Sequence, residues 1–166
     1  MADDLLDGDW RLITDGVMGG LSAGQMERAR VDGRNCLQLQ GAVSTRNNGG
    51  FIQMALDLDE ATRAALPAAA GLALTVQGNG EAYNLHLRTS DLWLPWQAYR
   101  VTFRAEPGWQ TLRLPFDRFT PYRTGKPLRK ARLVRIGVVA IGRDFQADLC
   151  VGGLQLYPPD ASPATH

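Results

Sequence analysis

Hydrophobic and polar residues alternate along most of this chain with a period of two, the spacing of a strand with one buried face. In Cys36–Val43 (C-L-Q-L-Q-G-A-V), Leu37 and Leu39 share one face, and Gln38 and Gln40 the other. The same pattern predicts strands over 72–77, 83–88 and 96–104. Further strands are expected at 10–13, 25–31, 51–58, 109–115 and 145–157, with residues 116–128 as a loop. The nearly continuous apolar run 133–141 reads as a strand buried on both faces, or nearly so. Asn47-Asn48-Gly49-Gly50 and Gly78-Asn79-Gly80 are turn signals, because Asn and Gly tolerate the positive φ of tight hairpins. Only Asp59–Ala70 has helix-forming composition, and Pro67 stops it. About nine or ten short strands and at most one short helix predict an all-β chain, a β-sandwich or jelly roll.

Composition fits one domain spanning 1–166, with a core over about 10–157 and a frayed tail at 158–166. The net charge of +1 argues against general affinity for nucleic acid or membranes. No apolar stretch approaches the roughly 18 residues that span a bilayer. The start, Met1-Ala2-Asp3-Asp4, lacks the apolar region of a signal peptide, so a cytoplasmic protein is expected. On that reading Cys36 and Cys150 are packed free thiols. Charge is nonetheless uneven. Arg123, Lys126, Arg129, Lys130, Arg132 and Arg135 follow one another without an intervening acid, as a solvated rim or a dock for an acidic partner.

Thr14–Gly24 (T-D-G-V-M-G-G-L-S-A-G) holds four glycines in eleven residues. No helix follows to supply free amides, which excludes a phosphate-cradling loop. It is expected to be an inter-strand loop packed closely through its glycines, with Asp15 and Ser22 as its hydrogen-bonding side chains. There is no G-x-S-x-G, Walker loop, H-E-x-x-H or C-x-x-C. With His86 as the one internal histidine, neither cofactor nor transition-metal site is expected. A calcium ion held by carbonyls with Asp15 or Asp148 stays open. If 72–77, 83–88 and 96–104 are neighbours, Leu72, Leu74, Val76, Tyr83, Leu85, Leu87, Tyr99, Val101 and Phe103 face the core. The other face then carries Thr75, Gln77, Asn84, His86, Arg88, Trp96 and Arg100, either a solvated surface or a binding platform.

In order along the chain stand Trp10, the string Asp15-Gly16-Val17-Met18-Gly19-Gly20-Leu21-Ser22, Gly41 and Asn48-Gly49-Gly50-Phe51. Gly78, Gly80, Tyr83, Arg88, Phe103, Trp109-Gln110, Leu114-Pro115-Phe116, Phe119 and Ile136-Gly137 continue the series. Together these resemble the complex I intermediate-associated protein family over nearly the whole chain, from Trp10 to about Leu156. The resemblance implies a galactose-binding-like jelly roll, similar to carbohydrate-binding modules. It also implies a protein that holds intermediates of respiratory complex I without catalysing a reaction, here resembling a stand-alone bacterial version. The leading expectation is therefore a non-enzymatic binder of a partner protein. Its candidate contacts are Asp15, Met18, Ser22, Asn48, Asn84, His86, Arg88, Trp96, Arg100 and Arg123. The alternative is carbohydrate binding, with Trp96 stacking on a sugar and Asn84, His86 and Arg88 hydrogen-bonding to it. An enzyme using His86 as general base is a third reading, for which spacing identifies no partner acid.

Overall fold

The period-two segments pair into two antiparallel sheets that meet across their apolar faces. The computed structural model describes residues 4–18, 20–46 and 50–159, with backbone alone for 17 and 18. In chain order the strands are β1 (Arg11–Thr14), β2 (Ala23–Val31), β3 (Arg34–Val43), β4 (Phe51–Asp57), β5 (Gly71–Gly78) and β6 (Ala82–Thr89). There follow β7 (Ala98–Arg104), β8 (Gln110–Pro115), β9 (Thr120–Tyr122), β10 (Leu133–Ile141) and β11 (Phe145–Tyr157). A six-stranded sheet runs β1-β4-β10-β6-β7-β9, and a five-stranded sheet runs β2-β3-β11-β5-β8.

Alternation places the core as expected. Ile52, Met54, Leu85, Leu87 and Val138 of the larger sheet and Leu39, Leu74, Leu149 and Val151 of the smaller are all buried. The two largest fully buried rings keep polar tips partnered, as aromatic hydroxyls in a core must. Tyr83 donates to Asn79 Oδ1 at 2.7 Å, and Tyr99 donates to the Pro127 carbonyl at 3.1 Å. All nine residues assigned to the core from strands 72–77, 83–88 and 96–104 are buried. The short helix α1 (Glu60–Ala65) starts where Asp59 accepts from the Thr62 amide at 2.8 Å. It tightens into a 3₁₀ turn at Leu66–Ala68 around Pro67, so it is shorter than the 59–70 expected.

Four expectations need correction. Segment 71–78 pairs with β11 and β8 in the smaller sheet, so Thr75 and Gln77 do not share a face with His86. Strand β7 opens at Ala98, and Trp96 lies in the preceding turn, because Arg88 and Gln97 draw that segment into a loop. The expected loop 116–128 contains β9, three residues paired to the edge of β7. Lastly, Cys36 and Cys150 form a disulfide with Cα atoms 5.7 Å apart. Cys150 pairs with Gln38, two residues from Cys36, so both sulfurs fall on the same side of adjacent strands. The expectation of free thiols is thereby overturned.

Candidate functional site

The outward face of the larger sheet follows from strand register. One row crosses all six strands: Arg11, Ala55, Gly137, His86, Arg100 and Thr120. The next row carries Gln53, Val139, Asn84 and Thr102. On the other side, Arg135 sits beside Asp57 and Arg88, and Ala98 beside Tyr122. The middle of the face is built from small residues, so its floor lies close to the backbone. At Gly137 a Cβ would sit 2.6 Å from Gln53 Oε1, which lies across it. Asn84, His86, Arg88 and Arg100 thus share one face, as sequence parity indicated.

Two of them, His86 and Arg100, meet at Tyr122, which no sequence pattern singled out. The Arg100 and Arg123 guanidinium groups lie over its ring at 3.9 and 5.2 Å, and the His86 ring is 6.1 Å away. Arg123 holds a left-handed backbone, φ 60°, that swings it back toward this ring. His86 Nε2 is buried with no hydrogen-bond partner among the described residues. Burial, followed by repulsion from Arg100, depresses the His86 pKa to about 4, so the ring is neutral near pH 7. That value is poorly matched to a general base working near neutrality. Asn84 Oδ1 accepts from Thr102 Oγ1 at 2.6 Å.

Arg88 is engaged by the loop that follows its strand. One terminal nitrogen donates to the carbonyls of Leu94, Pro95 and Gln97, at 2.9, 3.2 and 2.6 Å. Desolvation, and then the charge of Arg135, lowers its pKa. It clamps the β6–β7 loop, which exposes Trp93, Leu94 and Trp96 at the border of this face. Trp93 and Leu94 were missed in the sequence, where L-W-L-P-W reads equally as buried. The basic segment is partly neutralised. Arg129 makes two hydrogen bonds to the Asp91 carboxylate, and Arg132 lies 3.8 Å from it.

The glycine-rich string lies apart from this cluster in its chemistry. Asp15 is fully buried and accepts from the Ser22 amide and hydroxyl and from the amides of Gly50 and Phe51. Burial raises its pKa, but the hydrogen bonds from Ser22, Gly50 and Phe51 outweigh this and hold it below the usual value. Ser22 Oγ also receives the Ser44 amide at 2.8 Å. Asp15 and Ser22 form an internal hub rather than an exposed contact. The Met18 side chain, Gly19 and Asn48 lie outside the described residues. Among the described residues, no group of three or more His, Cys, Asp or Glu is placed to hold a metal.

A concavity of about 650 Å³ lies between the N-terminal turn and α1, lined by Asp7, Asp9, Asp57, Leu56 and Leu58 among others. Asp57 there is held by Arg11 and Arg135 at 2.8 and 2.7 Å.

The architecture is similar to carbohydrate-binding modules. A family 11 module of a cellulosomal cellulase of Clostridium thermocellum superposes with a TM-score of 0.76 at 10% identity, covering 95% of this chain and 94% of that one. The family 11 module from Clostridium thermocellum in complex with a β-1,3-1,4-mixed-linked tetrasaccharide gives 0.74 at 12% identity, with 95% and 94% covered. A family 30 module of another cellulosomal cellulase of that organism gives 0.63 at 10% identity, with 96% and 99% covered. At such identities the likeness concerns the fold. No curated protein sequence matches significantly. The family model for Complex I intermediate-associated protein 30 matches residues 3–148, most of the chain and including the Asp15 string, and the chain belongs to that family.

Proposed function

We propose that this chain is a non-enzymatic binding protein that holds a partner protein, an intermediate of respiratory complex I assembly. The observation that carries the reading is membership of the complex I intermediate-associated family across residues 3–148. The site chemistry supports it. The outward face of the larger sheet offers Arg100, Tyr122, Asn84 and Arg123, groups suited to hydrogen bonding and stacking, next to a histidine too acidic to serve as a base at neutrality. The contact surface is this face, with Trp96 at its border. Affinity capture with the intact chain tests the reading. Recovery of complex I subunits, reduced by Arg100→Ala, supports it. Normal complex I assembly in cells lacking the protein, with no subunit captured, rejects it.

A second reading has its own support in the fold, since two of the similar structures are one family of carbohydrate-binding module and one of them holds a tetrasaccharide. Here the same face takes a glycan, with Trp96 or Tyr122 stacking on a sugar ring and Asn84 and Arg100 donating hydrogen bonds. One terminal nitrogen of Arg88 is already occupied by loop carbonyls. A glycan array decides this reading: binding lost in Trp96→Ala or Tyr122→Ala supports it, and an array without signal ends it.

A further inference from the structure

We infer that the β6–β7 loop, with the basic segment packed against it, is a docking tip for an anionic bilayer surface. The inference is independent of the partner-protein reading. Three large apolar side chains stand exposed on this loop, Trp93 at 86%, Trp96 at 53% and Leu94 at 42%. Beside it run Arg123, Lys126, Arg129, Lys130 and Arg132. The two segments are bound together: Lys126 Nζ donates to the Asp91 carbonyl at 2.9 Å, Gln97 Nε2 to the Arg123 carbonyl at 3.3 Å, and the Ser90 amide to the Arg132 carbonyl at 2.9 Å. Within 88–97 and 119–132 the single carboxylate is Asp91, and it is engaged by Arg129. The whole-chain charge of +1 averages over this local excess.

Backbone satisfaction favours a bilayer over an acidic protein as the occupant. A loop entering an apolar interface must have its carbonyls and amides paired internally, because lipid offers no replacement for water. Arg88 supplies this for the carbonyls of Leu94, Pro95 and Gln97. The Leu94 amide donates to Gln97 Oε1, the Gln97 amide to the Leu94 carbonyl, and Pro95 has no N–H. Indole rings settle at the membrane–water boundary, and lysine and arginine around them are drawn to anionic headgroups.

The test is co-sedimentation of the intact protein with vesicles of equal parts phosphatidylcholine and phosphatidylglycerol, against phosphatidylcholine alone. Binding is expected to the mixed vesicles only, to weaken with added salt, and to be accompanied by a blue shift of tryptophan emission. Trp93→Ala with Trp96→Ala is expected to weaken it at least about tenfold. Arg123→Ala with Arg132→Ala should weaken it by a similar factor, each cation near the surface counting for most of a decade. All four sites are exposed, and an unchanged circular dichroism melt confirms intact folding. Absence of binding to mixed vesicles overturns the proposal, as does equal binding by the double-tryptophan variant. Capture of an acidic protein through Trp93 and Trp96, without vesicle binding, makes the patch a protein interface and equally overturns it. A bilayer-binding protein that captures no complex I subunit leaves this proposal standing and removes the functional one.

Discussion

At the scale of single residues, the two most informative side chains are ionisable groups whose polar atoms are shut off from water, with opposite fates. Asp15 is charged and fully partnered, so replacing it removes acceptors from the amides of Ser22, Gly50 and Phe51 at once. Asp15→Ala is expected to cost about 3 kcal/mol or more, read as a lowered urea midpoint at constant slope. Because its folded pKa is depressed, the stability it contributes is present at neutral pH and lost as pH falls through that lowered value. His86 is neutral and unpartnered. Its pKa falls from 6.5 to about 4, so the unfolded chain takes up a proton in that window while the folded chain does not. Stability therefore declines as pH drops from 6.5 to 4, by up to about 3 kcal/mol, before Asp15 begins to titrate. The positive charge of Arg100, across the strand pair, adds to the penalty. His86→Gln should flatten the melting-temperature profile across this window while leaving the acid limb below it. An unchanged profile in the variant would show that another group is responsible.

At the scale of elements, strand parity was legible in the sequence and strand partnership was not. Leu85, His86 and Leu87 alternate in a way that assigns their faces without knowing any neighbour. Nothing local says that β5 pairs with β11 while β6, after a turn of a few residues, pairs with β10 in the opposite sheet. The edge strand β9 escaped notice because Pro121 and three residues of length leave no periodic signal, yet Tyr122 on it organises Arg100, Arg123 and His86. Trp96 was assigned to a strand by continuity of pattern, and the Arg88 clamp that pulls it into a loop is long-range information. Glycines carry the opposite lesson. Gly41, with φ of 154°, has the Ala23 carbonyl 2.1 Å from where a Cβ would stand, since β2 and β3 meet closely there. Gly41→Ala is expected to cost about 1–3 kcal/mol by thermal denaturation. Gly125→Ala, where nothing lies within 4 Å of the added carbon, should be near neutral. Equal effects of the two would mean that lost backbone entropy, not contact, governs these positions.

At the scale of the molecule, the Cys36–Cys150 bond closes a loop with a sequence separation of 114 residues. It crosses from β3 to β11 within the smaller sheet, but the chain it encloses holds β4, β6, β7, β9 and β10 of the larger one. A cross-link here restricts the unfolded ensemble of both sheets. Chain entropy alone gives it about 4–5 kcal/mol, at the upper end of what disulfides contribute. Sequence reading took the two cysteines as unrelated because their proximity depends on the β3–β11 pairing, a contact between distant parts of the chain. Intact-mass analysis after alkylation without reductant should find neither cysteine labelled. The Cys36→Ser, Cys150→Ser variant should melt well below the oxidised protein, and the wild type in strong thiol reductant should approach the variant. Tyr122 and the Trp93–Trp96 loop belong to the larger sheet, whereas the bond joins two strands of the smaller one, so the reduced fold keeps its binding surfaces at temperatures below the new transition. Vesicle and partner binding by reduced protein at low temperature is therefore expected to match that of the oxidised form. Loss of either on reduction, with circular dichroism unchanged, would show instead that the bond controls the outward face of the larger sheet.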